Sequence, residues 1–598
     1  MVRLPRLINR AVPQRFRGYR PRVVLMLVFF LLLGSVLVGR AYHLQVMQHE
    51  ELADIAQKQS QRTLQLKGRR GEILDRRGGR LALSLAADSF FAHPALVTEP
   101  ALTAHQLARV LGLDAATLEA RLRSDRGFVW IKRQVVPSES AAVNALDLPG
   151  IGSIEEYRRI YPWRELGAAL LGFTGTDSKG LEGLEYAYNT TLSGSQAIRV
   201  LTKDALGRPV FTGEESILSP GGHIRLTLNP DLQYIAEQEL SRAVDRSEAL
   251  LGIALVMDSR TGEMLAVAQY PSFNPNAYSA SDKETYANRA ITYGYEPGST
   301  LKILTAAIAL EEATVKPDML FFAENGQWDY YDATIHDTSK HGWLDLAGIL
   351  RVSSNIGAAK LGLTIPRTVY REYLVRFGFG QRVGVFQDEQ GNALAGEAEG
   401  YLPPVEKWTP VDQAAISFGH GVLVSPLQLA AAVNTIATGG LLLKPRVVLE
   451  TRDARGAVVD QTATTVIRRV ISTKTAAAVR DLMVQTISDE GGTGARAILP
   501  GFSVAGKTGT TELYDLKARG YSKTKHIASF VGFVPAENPR MTLVVIIDEP
   551  KKGRYGGDVA APVFREISRR ALPLLGVWPK DGVRRVQLNL QEKRGKKK

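Results

Sequence analysis

The longest apolar run of this 598-residue chain lies close to its N-terminus. The run VVLMLVFFLLLGSVLVG covers residues 23–39, between Arg22 and Arg40. At about 1.5 Å per residue it makes a helix of about 26 Å, enough to cross a bilayer. A signal peptide or a buried core helix is the weaker interpretation, because Gly39-Arg40-Ala41 is a poor cleavage site and the run exceeds a usual signal-peptide core. We therefore predict one transmembrane helix over residues 23–39.

Shorter apolar stretches predict one antiparallel sheet assembled from both ends of a domain. IALVMDSRTGEMLAVAQY (253–270) has two apolar runs flanking a turn, which is typical of a hairpin. Three late strands are predicted in FSVAGKTGT (502–510), IASFVGFVP (527–535) and MTLVVIIDEP (541–550). Helical segments such as SPLQLAAAVNTIATGG (425–440) fill the middle. The pattern predicts an α+β fold in which helices cover an antiparallel sheet.

Basic residues at both ends of the chain indicate how the apolar helix is oriented. The formal net charge is +13, and part of it comes from seven arginines before residue 23 and from the basic run 593–598. No acidic residue precedes Glu50, so the positive-inside rule leaves the N-terminus in the cytoplasm and exports the chain after Arg40. Beside an apolar segment, basic ends favour anionic lipid over nucleic acid. The absence of cysteine excludes disulfides, thiolate metal sites and a cysteine nucleophile.

GFSVAGKTGT (501–510) has two incompatible interpretations. As G-x-x-x-x-G-K-[ST], its glycines with Lys507 and Thr508 would bind nucleotide phosphates. Such a loop needs a strand before it and a helix after it, but Pro500 precedes this one and Gly509 interrupts the chain directly after it. An exported domain also has no regular supply of nucleotide. As K-T-G-T on a strand, the stretch is typical of active-serine acyltransferases, and this is the interpretation we favour.

An acyltransferase needs a nucleophile, and Ser299-Thr300-Leu301-Lys302 supplies an S-x-x-K motif at the start of an apolar helix. Lys302 lies three residues on and therefore on the same helix face as Ser299. To accept the Ser299 proton, Lys302 must be partly neutral, and burial beside a second cation such as Lys507 would lower its pKa. Ser522–Lys525 also matches S-x-x-K, and we interpret it as a solvated loop.

The remaining candidate residues belong to LRVSSNIGAAK (350–360) and to the K-T-G-T strand. The Ser353 hydroxyl could relay a proton to a leaving amine, and the Asn355 amide could hold Lys302 and the substrate backbone. Either residue alone is more typical of a polar turn before a helix.

On the strand, Gly509 would let a substrate backbone approach closely. Lys507, Thr508 and Thr510 offer a cation and hydroxyl groups to a terminal carboxylate. The backbone N–H groups of Ser299 and Thr510 would form an oxyanion hole. The motifs at 299–302, 353–355 and 507–510 are each weak alone, but in this order they together strongly indicate an active-serine acyltransferase.

In this order the motifs resemble the penicillin-binding proteins, specifically the class B, division-type peptidoglycan D,D-transpeptidases (FtsI-like). Ser353-Ser354-Asn355 departs from S-D-N only at the variable middle position. No glycosyltransferase signature and no H-E-x-x-H zinc pair occur, and we interpret His336, His341 and His420 as structural or loop residues. Further stretches extend the resemblance over almost the whole chain: RRGEILDRRG (69–78), RRIYPW (158–163), GLEGLEYAYN (180–189), FGHG (418–421) and RYGGDVAAPVF (554–564).

The resemblance implies a serine β-lactamase-like transpeptidase domain on an elongated N-terminal pedestal. The expected limits, with a linker around SILSPGGH (216–223), are a cytoplasmic tail at 1–22, the membrane helix at 23–39, a periplasmic pedestal at 40–217, the transpeptidase domain at 218–578 and a basic tail at 579–598.

The resemblance also implies a function. Ser299 would attack the penultimate D-Ala of a stem peptide, release the terminal D-Ala and pass the acyl group to an amine of a neighbouring strand during septal wall synthesis. β-Lactams would acylate the same serine. No cofactor, metal, nucleotide or nucleic acid is expected. The expected partners are a polytopic lipid II glycosyltransferase and other division proteins, at the inner membrane. An elongation-type transpeptidase, a D,D-carboxypeptidase, a β-lactamase and a membrane-anchored β-lactam sensor or scaffold stay open as alternatives.

Overall fold

The computed structural model describes residues 20–50, 52, 62–203, 209–212, 218–385, 396–488, 491–515 and 520–579. The predicted basic tails lie almost wholly outside these residues, as does the start of the predicted linker. The chain divides into two compact units. One contains the residues up to Leu66 together with Gln196–Ile217, and the other contains Lys67–Ser195 and the residues from Leu218 onward.

Runs of helices and runs of strands follow one another along the described chain. The α-helices are α1 (Arg20–Tyr42), α2 (Pro100–Leu111), α3 (Ala115–Leu122), α4 (Pro137–Asn144), α5 (Ala168–Leu171), α6 (Gly183–Ala187), α7 (Asn189–Leu192), α8 (Pro230–Ser247), α9 (Arg289–Thr292), α10 (Lys302–Glu311), α11 (Leu346–Val352), α12 (Asn355–Leu363), α13 (Arg367–Arg376), α14 (Pro410–Ser417), α15 (Pro426–Ala437), α16 (Thr473–Ser488), α17 (Gly556–Val559) and α18 (Ala561–Leu574). The strands are β1 (Arg62–Lys67), β2 (Ile73–Leu74), β3 (Arg80–Ala92), β4 (Val129–Lys132), β5 (Ile151–Ile160), β6 (Gln196–Lys203), β7 (Pro209–Thr212), β8 (His223–Leu226), β9 (Leu251–Asp258), β10 (Met264–Tyr270), β11 (Phe321–Phe322), β12 (Gln327–Tyr330), β13 (Ala333–His336), β14 (Trp343–Leu344), β15 (Leu441–Leu443), β16 (Val448–Arg452), β17 (Val458–Gln461), β18 (Val466–Arg469), β19 (Ala505–Asp515), β20 (Gly520–Val534) and β21 (Met541–Asp548).

The first unit holds α1 and a small sheet in the order β1-β6-β7. α1 continues as a π-helical turn, His43–Met47, and the stretch Pro21–Met47 is long and apolar enough to cross a membrane. Its apolar side chains are exposed, as expected of a helix that faces lipid. The helix α1 (Arg20–Tyr42) is longer than the predicted 23–39 at both ends.

A five-stranded antiparallel sheet forms the centre of the larger unit, in the order β10-β9-β21-β20-β19. The early hairpin therefore pairs with the late strands, and the predicted sheet is confirmed. The side chains of β21 alternate between two cores. Val544 and Ile546 pack against the helical core that contains α10, α12 and α15, whereas Leu543 and Val545 pack towards α8 and α18.

Local sequence determines where the helices around this sheet begin. Thr409 and Asp412 form a capping box at the start of α14, and Ser425 and Gln428 form one at the start of α15. In both helices proline follows the cap, where its missing N–H leaves no bond unmade. These caps fix the entry of the chain into two helices of the main core.

A second sheet, in the order β17-β16-β8-β2-β3-β4 with β5 on β3, connects the residues before and after the predicted linker. β2 pairs in parallel with β8, and β8 pairs with β16, so residues 69–160 share one sheet with strands from beyond residue 218. Helices α2, α3 and α4 cover the far end with a separate small core. The domain limits assigned from the sequence stay a prediction.

Three of the motifs behind the family resemblance meet in one buried ion cluster. Arg70 Nε donates to Glu185 Oε2 at 2.6 Å, and Arg159 Nε donates to Glu185 Oε1 at 2.7 Å. The Tyr161 hydroxyl donates to the same carboxylate at 3.1 Å. The motifs at 69–78, 158–163 and 180–189 therefore form one structural element, which we call the pedestal ion cluster (Arg70, Arg159, Glu185).

The second S-x-x-K match, Ser522–Lys525, lies in strand β20, so its prediction as a loop is wrong. The pairing of β19 with β20 extends to Asp515 and Gly520, past the end of the sheet's other strands. The polar composition reflects exposed hairpin arms, and not irregular backbone.

Candidate active site

Ser299 lies in a 3₁₀ turn, Gly298–Thr300, that leads directly into α10. Gly298 has φ +54°, and a Cβ there would come within 2.1 Å of Thr511 Oγ1, so a side chain at this position would separate the turn from β19. The Thr300 hydroxyl is buried and donates to the Pro297 carbonyl at 2.7 Å. The Ser299 side chain, by contrast, is half-buried and lines a cleft.

Lys302 is buried beneath this turn, with 1% of its surface exposed. Its Nζ lies 2.6 Å from the Ser353 carbonyl, 2.8 Å from Asn355 Oδ1 and 3.2 Å from Ser353 Oγ. Burial and the nearby Lys507 amine lower the pKa of Lys302 well below its usual value. Two of these neighbours are oxygens that can only accept, so they take two N–H groups of the amine, while Nζ also contacts the Ser353 hydroxyl.

Ser353 and Asn355 stand at the sharp turn between α11 and α12. Ser353 has φ +60°, a left-handed conformation that ends α11 and directs its hydroxyl to both lysines. Lys507 Nζ donates to Ser353 Oγ at 2.9 Å. Asn355 is the first residue of α12, and its Nδ2 donates to the His336 carbonyl at 2.9 Å. That bond orients Oδ1 towards Lys302.

Lys507 is fully buried on β19, and burial lowers its pKa to about 7. Besides Ser353, its Nζ reaches the Thr508 carbonyl at 3.1 Å. The structure pairs neither Lys302 nor Lys507 with a carboxylate among the described residues. We call these two lysines the buried amine pair.

Alternation along β19 separates the roles of the neighbouring residues. Thr508 and Thr510 line the cleft, and their hydroxyls meet Thr493 Oγ1 at 2.9 Å and the Gly556 N–H at 3.2 Å. Gly509 faces the other way, where a Cβ would come within 2.9 Å of Thr300 Cγ2. Its missing side chain lets the Ser299 turn pack against β19, and its predicted contact with substrate stays a prediction.

The cleft joins the candidate residues in one cavity of about 900 Å³. It includes Ser299, Ser353, Asn355, Thr508 and Thr510, while both lysines lie beneath its floor. β19 is the last strand in the sheet order, so alternate N–H groups of this strand point away from β20. The oxyanion role assigned to the N–H groups of Ser299 and Thr510 stays a prediction.

Several residues of the cleft were missed from the sequence. Burial and the positive charge of Lys302 lower the pKa of His420 to about 4, so its ring is neutral. His420 packs on Tyr521, whose hydroxyl donates to Glu296 at 3.1 Å. His336 and Asp337 also line the cleft. The motif FGHG at 418–421 was a usable signal for His420, whereas nothing near His336 marks that segment.

Comparison with known proteins shows which family this chain is similar to. Residues 252–569 match the model of the penicillin binding protein transpeptidase domain, and residues 65–226 match that of the penicillin-binding protein dimerisation domain. The chain is 35% identical over 569 residues to the probable peptidoglycan D,D-transpeptidase PenA of Neisseria meningitidis, covering 93% of each chain. It is 33% identical over 570 residues to the peptidoglycan D,D-transpeptidase FtsI of Escherichia coli, covering 93% of this chain and 92% of that one. Penicillin binding protein 3 from Mycobacterium tuberculosis, complexed with aztreonam, has a similar structure, with a TM-score of 0.67 and 26% identity over 86% of this chain and 98% of that one.

Proposed function

The chain belongs to the class B penicillin-binding proteins, and from this premise we propose how its cleft performs transpeptidation. It is a serine-type peptidoglycan D,D-transpeptidase that crosslinks stem peptides and is a target of β-lactams. The observation that carries the residue assignment is the convergence of Lys302 and Lys507 on the Ser353 hydroxyl, in the cleft that Ser299 also lines.

In the first half-reaction Ser299 Oγ attacks the carbonyl of the penultimate D-Ala, and the neutral Lys302 amine takes the Ser299 proton. The C–O bond to Ser299 forms, and the C–N bond to the terminal D-Ala breaks. The proton passes from Lys302 through the Ser353 hydroxyl to the leaving nitrogen. Asn355 holds Lys302 in place, and the N–H groups of Ser299 and Thr510 stabilise the oxyanion.

In the second half-reaction an amine of a neighbouring strand attacks the acyl-enzyme. That amine loses a proton along the same route in reverse, and Ser299 Oγ recovers it as the ester bond breaks.

Protonated Lys507, with the hydroxyls of Thr508 and Thr510, binds the terminal carboxylate of the incoming donor peptide before the first half-reaction. Gly509 contributes by letting the Ser299 turn lie close to this strand.

Labelling by a fluorescent penicillin tests the assignment of the nucleophile. We expect the label on the peptide that contains Ser299, and its loss in Ser299→Ala. Ser522→Ala, at the other S-x-x-K match, is the control and should label normally. Label on a different serine would refute the assignment.

Product analysis with a stem peptide separates transfer from hydrolysis. In the presence of an acceptor amine we expect a crosslinked product that replaces the hydrolysed one. Hydrolysis alone, unaffected by the acceptor, would favour a D,D-carboxypeptidase. Survival of a strain whose only copy is Ser299→Ala would favour the sensor or scaffold.

The protein is membrane-anchored, and we place it as a single-pass protein of the inner membrane with a cytoplasmic N-terminus and a periplasmic catalytic domain. The seven arginines before residue 23 support this orientation. A septal role beside a polytopic lipid II glycosyltransferase and other division proteins is supported by similarity to FtsI. Protease should remove the catalytic domain from spheroplasts, and its protection there would overturn this topology.

A further inference from the structure

Asp337 follows strand β13, lines the cleft and holds the start of α12 through three hydrogen bonds. Its Oδ2 accepts the Ser354 hydroxyl at 2.5 Å. Its Oδ1 accepts the backbone N–H groups of Asn355 and of Ile356, the latter at 3.0 Å. Because these donors belong to consecutive residues, the carboxylate fixes both the position and the direction of the turn.

The same end of β13 also holds the Asn355 side chain. His336, directly before Asp337, accepts Asn355 Nδ2 through its carbonyl, and Asn355 Oδ1 then meets Lys302. Two adjacent residues of one strand end therefore hold the backbone and the side chain of Asn355. Ser353, two residues earlier in a left-handed conformation, depends on the same turn for its contacts with both lysines.

We propose that Asp337 is a positioning residue for transpeptidation, which sets the Ser353–Asn355 turn against Lys302 and determines which residue can stand between Ser353 and Asn355. The proposal rests on the proposed function of these residues. Asp337 touches no reacting atom in it and acts through Asn355 and Ser353.

Ser354 shows how the middle position is coupled to Asp337. Its hydroxyl caps α12 by accepting a hydrogen bond from the Gly357 N–H at 2.9 Å, and it donates a hydrogen bond to Asp337. The substitution Ser354→Asp would retain the capping interaction. The introduced carboxylate would donate no hydrogen bond to Asp337 and would lie next to the Asp337 carboxylate. Adding Asp337→Asn reverses this, because the new amide can donate to the introduced carboxylate while its oxygen still accepts the α12 N–H groups.

Charge provides a second readout, because the Asp337 carboxylate raises the pKa of Lys302, against the stronger effects of burial and of Lys507. His420, on the loop after α14, also lies within electrostatic range, since the charge of Lys302 lowers the pKa of His420. Removing the Asp337 charge should therefore lower the pKa of Lys302 further. If Lys302 is the base, the acid limb of the acylation pH profile then moves to lower pH.

The experiment measures the second-order rate constant for acylation by a fluorescent penicillin from pH 5 to 9, with full-length protein in detergent. Asp337→Ala should lose about 100-fold, since a shift of about 1 Å in a catalytic group has that effect. Asp337→Asn keeps the acceptor oxygen and should lose about 10-fold or less. In both variants the acid limb should move down. Asp332→Asn, an exposed aspartate of the same β12–β13 hairpin, is the control and should behave as wild type.

The coupling between position 354 and Asp337 is tested with the single variant Ser354→Asp and with the double variant Ser354→Asp/Asp337→Asn. The single variant should lose about 100-fold and the double variant should recover to within about 10-fold of wild type. Thermal unfolding of each variant separates positioning from misfolding. Wild-type rates in Asp337→Ala, losses that follow the unfolding temperature with an unmoved acid limb, or no recovery in the double variant would each overturn the proposal. Absence of label at Ser299 in the wild type would instead refute the proposed function, and the inference with it.

Discussion

Two groups of buried charged side chains in the described structure have opposite kinds of partner. In the pedestal ion cluster both guanidinium groups contact the Glu185 carboxylate. Burial would raise the pKa of that carboxyl, but Arg159 and Arg70 hold it below its usual value. In the buried amine pair, Lys302 and Lys507 share the Ser353 hydroxyl and contact no carboxylate among the described residues, and both pKa values fall.

The difference separates a charge with one fixed protonation state from a charge that can titrate. A buried charge with a hydrogen-bonded counterion keeps one protonation state and contributes to a fixed geometry. A buried amine without a counterion is held near the point where it can gain or lose a proton. Burial alone therefore does not distinguish these two groups. The presence or absence of a carboxylate partner does.

Replacing Lys302 should produce the largest effect. Lys302→Met removes the proposed base, and acylation by penicillin should fall by about 1,000-fold or more. The unfolding temperature should stay constant or rise, because a buried amine gives way to an apolar side chain of similar length. Stopped-flow labelling and thermal unfolding measure the two quantities. A loss of activity that accompanies unfolding would show that Lys302 is structural.

Glu185→Gln tests the other group and should give the reverse outcome. Removing the only carboxylate of the pedestal ion cluster leaves two buried guanidinium groups without a counterion, which costs about 3–5 kcal/mol of stability. Denaturant unfolding measures the loss. The folded fraction should still be acylated at the wild-type rate. A variant of normal stability would mean that the cluster does not support the pedestal.

Lys507 should determine the alkaline side of the pH profile. Its pKa of about 7 means that its positive charge is present below pH 7 and is lost above it. For a donor peptide with a terminal carboxylate, kcat/KM should therefore decline above about pH 7. Lys507→Arg keeps its charge throughout, so the decline should move to higher pH or vanish. An unchanged alkaline limb in this variant would assign the titration to another group.

Thr493→Val should have the smallest effect. It removes the hydrogen bond from Thr508 Oγ1 and leaves both lysines in place. The loss of one such bond is worth about 1 kcal/mol, so KM for the donor peptide should rise about fivefold with little change in kcat. A large fall in kcat would place Thr493 in the chemistry itself.

The sequence predicted those features that depend on local pattern. The apolar strands at 253–270 and 541–550 predicted the sheet, since alternating cores on both faces require nearly continuous apolar residues. S-x-x-K before an apolar helix and K-T-G-T on a strand predicted that Ser299, Lys302 and Lys507 belong to one site. Spacing on a helix or strand fixes which face a residue occupies.

Features that depend on contacts between distant segments escaped prediction. Asp337 acts on α12 from a separate hairpin, and no local pattern marks it. Arg70 and Glu185 are 115 positions apart, so their motifs were visible but their pairing was not. The direction in which Gly509 faces, towards Thr300, was also not predicted. It depends on the register of the strand, which its composition does not specify. The expected close approach of a substrate backbone to Gly509 stays a prediction.

The most direct test of the central claim is the pKa of the Lys302 amine itself. Protein labelled with ¹³C at lysine Cε can be titrated by NMR, and the Lys302 signal assigned by its loss in Lys302→Met. We expect Lys302 to titrate well below the ordinary pKa of a lysine amine, which is about 10.4. A Lys302 amine that keeps its proton up to that pH would contradict its role as the base for Ser299.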